Sequence, residues 1–333
     1  MKKDRVLVTG GSGFIGVHVI DFMIKLGYEI LNLDIKSPIN DTHLDKWKNV
    51  SIINSVVFRS IVLDFDPNYV IHLAAITIQN ANSLEEFGVN IQGTKNVIDV
   101  SNDLKNLKKL IFTSTQYVNT PGLPIHEHSP KLIPYGFYGV SKLIGEELIR
   151  KDFLTPNWII IRPTTIWGPW HRILANGLWK QIMNRRYFHP NGDSSIKAYG
   201  YVKNTAWQIA KLLEKENFLT DKQVFYLADH NLSQKQWVKE FVIRLTGRQI
   251  REIPKILLFI ASEVGELLVR MGLKFPLYRS RYRNLMTSNP SPLEKTLELL
   301  GPSPISLIDA IDETCAWLEE TVSANKWDKS ENL

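Results

Sequence analysis

The sequence predicts an α/β protein with a doubly wound parallel sheet and a smaller, mostly C-terminal domain. From residue 5 to about residue 132, short β-branched runs alternate with longer stretches of helical periodicity, as expected for strands joined by crossover helices. The runs are almost continuously apolar, which is typical of strands covered by helices on both faces of a sheet. After Arg162, Pro and Gly interrupt the alternation, which indicates a second domain of different architecture.

Six strands and six helices follow from the residue patterns. The strands are expected at residues 6–8, 29–33, 50–53, 69–73, 110–112 and 158–161. The helices are expected at residues 15–26, 84–104, 137–151, 204–216, 234–245 and 256–269. Glu263 and Glu266 interrupt the last helix, which is also too short to cross a bilayer. We therefore interpret it as a packed or surface-lying helix and expect no stable membrane insertion.

The end of the alternation places the domain boundaries. We predict a larger sheet domain over residues 1–165, rejoined by about 196–228. The smaller domain is expected from residues 166–195 and 229–327, and residues 328–333 are expected to form a loose tail.

Composition and charge exclude several classes of protein. With 44% hydrophobic and 22% charged residues, no low-complexity tract and no internal repeat, the 333-residue chain is neither disordered nor a repeat scaffold. Its formal net charge of +6 comes from scattered basic residues, which favours an anionic small molecule over nucleic acid as the partner. The single cysteine, Cys315, fits a reducing compartment, and the first strand begins too close to Met1 for a secretory signal. We therefore expect a cytoplasmic protein.

A glycine-rich run, TGGSGFIG (9–16), follows the first predicted strand and opens the first predicted helix. Gly10, Gly13 and Gly16 permit a tight turn and close backbone approach, so that amide N–H groups at the helix start can hold a pyrophosphate. Asp34 closes the second predicted strand, where a carboxylate accepts hydrogen bonds from an adenosine ribose. Because that carboxylate would repel the 2′-phosphate of NADP, the pattern favours NAD.

Tyr138 and Lys142 stand four residues apart on a predicted helix, so their side chains share one face. That spacing alone is close to what chance gives in a chain with 11 Tyr. The pair follows a strand end rich in hydroxyl groups, FTST (112–115), and parallel strands present their carboxyl ends to a bound nucleotide. Thr115, Tyr138 and Lys142 are therefore candidates for one catalytic group.

Six ordered segments resemble the landmarks of the extended short-chain dehydrogenases/reductases, the NAD-dependent epimerase/dehydratase family with a Rossmann fold. The segments are TGGSGFIG (9–16), VIHLAA (70–75), FGVNIQGT (87–94), IFTST (111–115), YGVSK (138–142) and IRPTTIWGP (161–169). The resemblance runs from residue 5 to about 210, and a weaker one covers LELLGPSPISLIDAI (297–311). It implies that the larger domain binds NAD and that the smaller domain binds the substrate.

The resemblance also implies a role for each matched residue. Tyr138 takes the position of the general acid/base, Lys142 the position that lowers its pKa and holds the nicotinamide ribose, and Thr115 the position that binds the reacting oxygen. Asn90 supports the lysine side of this network. The implied cofactor-contacting positions are Gly10, Gly13, Phe14, Ile15, Gly16, Asp34, Asn54, Leu73, Ala74, Ala75, Asn90, Tyr138, Lys142 and Pro163. No metal ligand is expected, and a homodimer is implied through the helices near residues 84–104 and 137–151.

Two positions depart from relatives of known chemistry. Asn54 stands where many relatives carry an Asp that contacts the adenine amino group, and its carbonyl can accept the same hydrogen bond. Gln116-Tyr117 follow Thr115 where dehydratases of the family carry an Asp-Glu pair and decarboxylating relatives a Glu. Relatives that epimerise two carbons use an additional Cys, and Cys315 lies far from the matched segments. Reversible hydride transfer at one carbon remains, as 4-epimerisation or as keto-reduction and alcohol oxidation, and the sequence leaves both open.

The substrate is predicted from one further segment. Asn191-Gly192-Asp193 followed by Lys197 is similar to the stretch in which a cation of the family meets the diphosphate of a nucleotide sugar. We therefore predict a nucleotide-sugar substrate contacted by Thr115, Gln116 and Lys197. The apolar segments 256–269 and 275–278 resemble instead the 3β-hydroxysteroid dehydrogenase and dihydroflavonol reductase branch, which acts on hydrophobic alcohols or ketones. A non-catalytic NAD-binding regulator is a second alternative, although such members of the fold typically lack the Tyr or the Lys.

Overall fold

The computed structural model describes residues 3–78, 81–125, 132–154, 157–273 and 275–323. The chain divides into two compact units. The first comprises Met1–Ile166, Val202–Asp229 and Ser291–Pro304, and the second comprises Trp167–Tyr201, His230–Pro290 and Ile305–Leu333. The predicted loose tail at 328–333 lies outside the described residues.

A sheet of seven parallel strands forms the centre of the first unit. Its strands are β1 (Arg5–Thr9), β2 (Glu29–Asp34), β3 (Trp47–Asn49), β4 (Tyr69–His72), β5 (Lys109–Thr113), β6 (Trp158–Pro163) and β10 (Gln223–Leu227). Their order across the sheet is β10-β6-β5-β4-β1-β2-β3. The order reverses direction between β1 and β4, which creates a crevice at the carboxyl ends of these strands. The predicted doubly wound fold is confirmed.

Helices of the first unit cover both faces of this sheet. They are α1 (Phe14–Lys25), α2 (Ser55–Phe65), α3 (Gly88–Asn102), α4 (Gly136–Asp152), α7 (Val202–Glu214), α8 (Asn217–Thr220) and α12 (Glu294–Leu300), with 3-10 turns at Asp41–Lys46, Glu85–Phe87 and Gln116–Val118. Alternate residues of one strand face opposite sides. Leu7 packs in the core beneath α2, α3 and α4, whereas Val6 and Val8 pack in the core beneath α1 and α7.

Two sequence predictions for this unit are wrong. The strand expected at 50–53 lies earlier, at Trp47–Asn49, where it pairs with β2. Ile52 is buried because it packs against Gly93 of α3. This apolar residue therefore fills the core from a turn and does not belong to a strand. Segment 291–304 lies in the first unit and not with the smaller domain, because the Thr296 hydroxyl of α12 donates a 2.8 Å hydrogen bond to the Tyr226 carbonyl of β10.

The second unit is built from short strands and helices. Its strands are β8 (His189–Pro190), β9 (Ile196–Tyr201), β11 (His230–Ser233) and β12 (Glu252–Ile253), and β7 (Thr165–Trp167) crosses the boundary between the units. Its helices are α5 (Arg172–Leu174), a π-helical turn (Ala175–Trp179), α6 (Lys180–Met183), α9 (Gln234–Thr246), α10 (Lys255–Arg270), α11 (Arg279–Met286) and α13 (Leu307–Ser323). β9 and β11 pair antiparallel, and β8 and β12 pair parallel.

Large aromatic side chains fill the core of the second unit. Trp167 packs edge-on against Trp237 and Phe241 at centroid distances of 5.6 and 5.5 Å, and Trp179 lies 5.4 Å from Phe241. Cys315 is buried in α13. None of the helices in the described part of the chain combines the length and the apolar composition needed to cross a membrane.

Candidate active site

The turn between β1 and α1 forms a tight cradle of glycines. Gly10 adopts a φ of +74°, a left-handed conformation that favours glycine. A Cβ atom at Gly10 would lie 2.6 Å from the amide nitrogen of Ala74, so the turn packs directly on the segment that follows β4. Gly13 precedes Phe14, the first residue of α1, and has no side chain to cap the helix. The start of α1 therefore presents backbone N–H groups, together with the positive end of the helix dipole, to an anion.

Asp34 ends β2 beside this turn. Its Oδ2 atom accepts a hydrogen bond of 3.1 Å from the Ser12 amide, and its Oδ1 atom accepts one of 3.0 Å from the Lys36 amide. Burial raises the pKa of Asp34, and the two backbone hydrogen bonds oppose that rise. The carboxylate is thus held in a fixed orientation next to the glycine cradle, with the charge that a ribose-binding acid needs.

Asn90 ties α3 to the segment after β4 and to α4. Its Oδ1 atom accepts a 2.7 Å hydrogen bond from the Ile76 amide, and its Nδ2 atom donates to the Ile76 carbonyl and to Ser141 Oγ, both at 3.0 Å. The side chain is buried, so Asn90 does not face water as a polar residue on an exposed helix surface would. Asn90 thereby holds Leu73, Ala74 and Ala75, which lead from β4 to Ile76, in register with the helix that carries Lys142.

Thr115 and Tyr138 meet at the end of β5. The Thr115 side chain accepts a 3.3 Å hydrogen bond from the Tyr117 amide and hydrogen-bonds the phenol of Tyr138. Burial raises the pKa of Tyr138 to about 12, and the hydrogen bond from Thr115 opposes the rise. The approach of α4 to this loop requires Gly139, because a Cβ atom there would collide with the carbonyl oxygen of Tyr117. The structure therefore brings together two of the three predicted catalytic groups by direct contact.

Lys142 follows Tyr138 by one turn of α4 and is buried. Its Nζ atom lies 4.8 Å from the ring centre of Phe112 on β5. Burial lowers the pKa of Lys142 to about 8, and the carboxylate of Glu146 opposes the fall. The ammonium group therefore carries its charge at neutral pH although it is buried.

Sequence reasoning missed a buried ion pair one helical turn beyond Lys142 on α4. Arg162 of β6 donates to both carboxylate oxygens of the buried Glu146, at 2.8 and 2.7 Å, and Ser114 Oγ donates a third hydrogen bond at 2.6 Å. The ion pair lowers the pKa of Glu146. A signal was present, because Arg162 interrupts an apolar strand, and a charge in such a strand needs a buried partner.

Sequence reasoning also missed His72, a buried polar residue at the end of β4. Its Nδ1 atom lies 2.6 Å from Thr9 Oγ1 and its Nε2 atom 3.2 Å from Thr94 Oγ1. Burial lowers the pKa of His72 to about 3, and the positive charge of Lys142 adds to the fall. His72 is therefore a neutral link between β1, β4 and α3.

Three further predicted residues of the first unit are Asn54, Pro163 and Gln116. Asn54 is exposed at the start of α2, where its Oδ1 atom accepts a 3.3 Å hydrogen bond from the Val57 amide, so an adenine contact would compete with this cap. Pro163 ends β6 and is paired with Leu227. Gln116 is buried directly after Thr115, and its Oε1 atom has no hydrogen-bond partner among the described residues.

Lys197 lies on β9 of the second unit. Its Nζ atom donates to the Asn284 carbonyl oxygen at 2.7 Å, and burial lowers its pKa to about 8. Its role toward a diphosphate stays a prediction.

These surroundings fit a bound NAD. The cradle at Gly10 leaves no room for a side chain, the uncapped start of α1 suits a pyrophosphate, and Asp34 ends β2 where a ribose-binding acid is expected. The predicted NAD-contacting residues all lie in the first unit.

A family model describes the same region of the chain. The model of the NAD dependent epimerase/dehydratase family matches residues 6–228, more than half of the chain and nearly all of the segments that build this site.

Curated relatives fall into two groups by name. A protein of Methanocaldococcus jannaschii with the provisional name UDP-glucose 4-epimerase is 32% identical over 49% of this chain, which spans only 56% of that protein. The N-acetyl-alpha-D-glucosaminyl-diphospho-ditrans,octacis-undecaprenol 4-epimerase of Escherichia coli O157:H7 is 26% identical, with 98% of each chain covered. The decarboxylating sterol-4-alpha-carboxylate 3-dehydrogenase of Saccharomyces cerevisiae is 23% identical over 96% of this chain and 99% of that protein.

A solved structure shares the fold along nearly the whole chain. The UDP-glucuronic acid 4-epimerase of Bacillus cereus, solved with UDP-glucuronic acid and NAD, aligns with a TM-score of 0.71 at 22% identity. The alignment covers 95% of this chain and 99% of that one.

Proposed function

The chain belongs to the NAD-dependent epimerase/dehydratase family and uses NAD, and from that premise we propose that it transfers a hydride reversibly at one carbinol carbon of a sugar joined to a diphosphate. The observation that carries the chemistry is the contact of Thr115 with Tyr138 one helical turn from the buried Lys142. A hydroxyl, a phenol and a cation form the minimum set for moving a proton at an alcohol oxygen while its carbon changes oxidation state.

Tyr138 is the proposed acid/base. A phenol with a pKa of about 12 is a poor base at neutral pH, so it must be assisted when it removes the proton of the substrate hydroxyl. Lys142 provides a buried positive charge on the same face of α4, and this charge favours the phenolate. Thr115 hydrogen-bonds the phenol here, and it is proposed to hold the substrate oxygen as the proton moves. When bound, NAD supplies the acceptor and donor of the hydride.

Gln116 supports a reaction confined to one carbon. Elimination across two carbons needs a second acid/base pair, and an amide cannot supply one. Gln116 is buried beside Thr115 with a carbonyl oxygen that no described residue satisfies. We propose that this amide contacts a substrate hydroxyl and takes no proton.

The proposed substrate class is supported by the names of two relatives and by Lys197, and not by the catalytic residues. Two of the relatives carry names that specify a sugar on a diphosphate, and Lys197 offers a cation for that group. A nucleotide sugar is the first substrate to test. The second candidate is a hydrophobic alcohol, supported by the sterol dehydrogenase relative and by the apolar surface of α10.

We also propose that the protein is a cytoplasmic homodimer. The support is the family resemblance, which implies a dimer contact through α3 and α4. Analytical ultracentrifugation of the full chain tests this directly, since a monomer at micromolar concentration contradicts it.

A ligand panel tests the proposed function. UDP-, GDP-, CDP- and dTDP-sugars and sterols are each added to the full chain with NAD, and the melting temperature is measured, because a ligand of the native state raises it. Compounds that stabilise are then incubated with NAD and followed by NMR and by absorbance of reduced nicotinamide. An inverted centre without accumulated reduced cofactor identifies epimerisation, and accumulated reduced cofactor identifies net oxidation. Stabilisation by sterols alone contradicts the diphosphate-sugar proposal, and NAD binding without turnover of any compound contradicts an enzyme.

A further inference from the structure

Helix α10 exposes an apolar stripe along its whole length. The stripe consists of five residues spaced by four, four, three and four positions, which places them on one face of the helix. They are 51% to 67% exposed: Ile256, Ile260, Val264, Leu267 and Met271, the last being the C-cap residue directly after α10. A surface helix of a globular protein normally turns this face toward the core and its polar residues toward solvent. In α10 this apolar face is exposed instead.

The opposite side of α10 is already packed, so the stripe is not a core face left open by a misplaced helix. Leu258, Ser262 and Gly265 are the buried residues of the helix. Gly265 has no space for a side chain, because a Cβ atom would collide with the Leu277 carbonyl and lie 2.5 Å from the Phe275 ring. Phe259 packs edge-on against Tyr282 of α11 at 5.8 Å.

Basic residues accompany the stripe. Residues 255–286 contain six Lys and Arg and only two Glu, within a chain whose formal net charge is +6. Both glutamates are paired, Glu263 with Arg279 and Glu266 with Arg270 at 3.4 Å. The excess positive charge therefore comes from the remaining Lys and Arg, of which Arg281 and Arg283 are exposed on α11.

We propose that α10 and α11 form a docking surface for an anionic lipid bilayer, with the stripe lying in the headgroup region and the basic residues meeting lipid phosphates. An apolar helix face flanked by cations is the combination that binds peripherally at an anionic membrane without crossing it. A second copy of the chain is disfavoured as the occupant, because a symmetric contact would bring two sets of excess positive charge together. This surface is independent of the substrate class of the active site.

Vesicle flotation with the full chain tests the proposal. We expect binding to phosphatidylcholine vesicles that contain about one-third phosphatidylglycerol, and at least tenfold weaker binding to phosphatidylcholine alone or at high salt, because surface charge attraction is screened by salt. The double variant Ile260→Asn/Leu267→Asn should lose at least tenfold in vesicle affinity. Arg283→Glu should weaken binding to the anionic vesicles only.

A matched control separates docking from general stickiness. Val56 and Leu154 are 78% and 81% exposed in the first unit, so Val56→Asn/Leu154→Asn removes apolar surface of similar kind elsewhere and should leave vesicle binding within twofold of wild type. NAD binding and melting temperature should be unchanged in both double variants. Absence of binding to anionic vesicles at low salt, or equal loss in the control variant, overturns the proposal. A change of sedimenting mass caused by Ile260→Asn/Leu267→Asn also overturns it and identifies a protein contact instead.

Discussion

Arg162 reaches both carboxylate oxygens of Glu146 with two nearly equal hydrogen bonds, 2.8 Å from Nε and 2.7 Å from Nη2, inside the core of the first unit. Glu146 lies one helical turn beyond Lys142 on α4, so the ion pair connects β6 to the helix that carries the proposed catalytic residues. Removal of one partner of a buried pair leaves the other charge without compensation, which is the costly case.

Glu146→Gln should destabilise the protein by about 3–5 kcal/mol near neutral pH. Because the pKa of Glu146 is lowered in the fold, its stabilising contribution is present above 4.5, the unfolded value, and is lost as the pH falls through the lowered folded value. The difference between variant and wild type, measured by urea unfolding, should therefore shrink below about pH 4.5. Equal stability of the two proteins at pH 7 would contradict a buried ion pair.

Two companion variants control this measurement. Arg150 is the second cation on Glu146, at 2.9 Å, but its side chain is 39% exposed, so Arg150→Gln should cost less than about 1 kcal/mol. The double change Glu146→Leu/Arg162→Met replaces the pair by apolar groups and should recover most of the stability lost in Glu146→Gln.

Tyr138→Phe and Lys142→Met should each lower turnover by at least about a hundredfold, because each removes a proton-transfer function. Neither change creates a large cavity, so circular dichroism and the affinity for NAD measured by calorimetry should confirm an intact fold and, for Tyr138→Phe, an intact cofactor site. A rate within tenfold of wild type for either variant would remove that residue from the mechanism.

Local sequence patterns correctly predicted the elements of the fold that depend only on neighbouring residues in the chain. The alternation of strand and helix, the glycine turn before α1 and the hydroxyl-rich end of β5 depend on neighbouring residues, and the structure has these elements where they were expected. The strand predicted at 50–53 failed because Ile52 owes its apolar character to a contact with Gly93, 41 positions away in the sequence numbering. Long-range packing of this kind leaves no local periodicity.

Local sequence patterns have the same limit in the candidate active site. Lys142 and Tyr138 share one helix and were predictable together, whereas Glu146 and Arg162 meet across two elements and no spacing rule pairs them. The sequence of α10 likewise shows apolar residues around most of the helix, and only the packing of Gly265 against Leu277 tells which face is covered.

Lys142→Met should stabilise the NAD-free protein at neutral pH. Burial lowers the pKa of Lys142 from 10.5 to about 8, so the folded state pays to keep the lysine charged below that value. Between about pH 8 and 10.5 the unfolded wild-type chain binds more protons than the folded one. The free energy of unfolding of the wild type therefore rises with pH in this range, relative to that of the variant. We expect a gain on the order of 3 kcal/mol below pH 8 that disappears above pH 10.5. Urea unfolding of both proteins across this range measures it, and a pH-independent difference would refute the assigned shift.

Asp34 should set the preference for NAD over NADP. Its carboxylate is oriented by the Ser12 and Lys36 amides and would repel a 2′-phosphate. Asp34→Ala should weaken NAD binding by about tenfold and narrow the gap to NADP, whereas Asp34→Asn keeps an acceptor without the charge and should affect NADP more than NAD. Calorimetric dissociation constants for both cofactors test this, and tighter NADP binding by the wild type would refute it.

Lys197 distinguishes the two substrate classes through the charge of its side chain. If the substrate carries a diphosphate at that position, Lys197→Ala should raise the Michaelis constant by about tenfold or more with little change in turnover, because the contact serves binding in the ground state and transition state alike. The pH dependence of substrate binding gives a second test of Lys197. Since burial lowers the pKa of Lys197 to about 8, the Michaelis constant of the wild type should rise as the pH increases through about 8 and the ammonium loses its proton. The variant Lys197→Arg keeps its charge at every accessible pH and should not show that rise. Lys142, whose pKa is also about 8, acts on turnover and is thereby separated from Lys197 in the same experiment. A hydrophobic alcohol as substrate predicts a Michaelis constant that is insensitive to salt, to pH near 8 and to the loss of Lys197, and this outcome would move the protein to the hydroxysteroid branch with the roles of Thr115, Tyr138 and Lys142 unchanged.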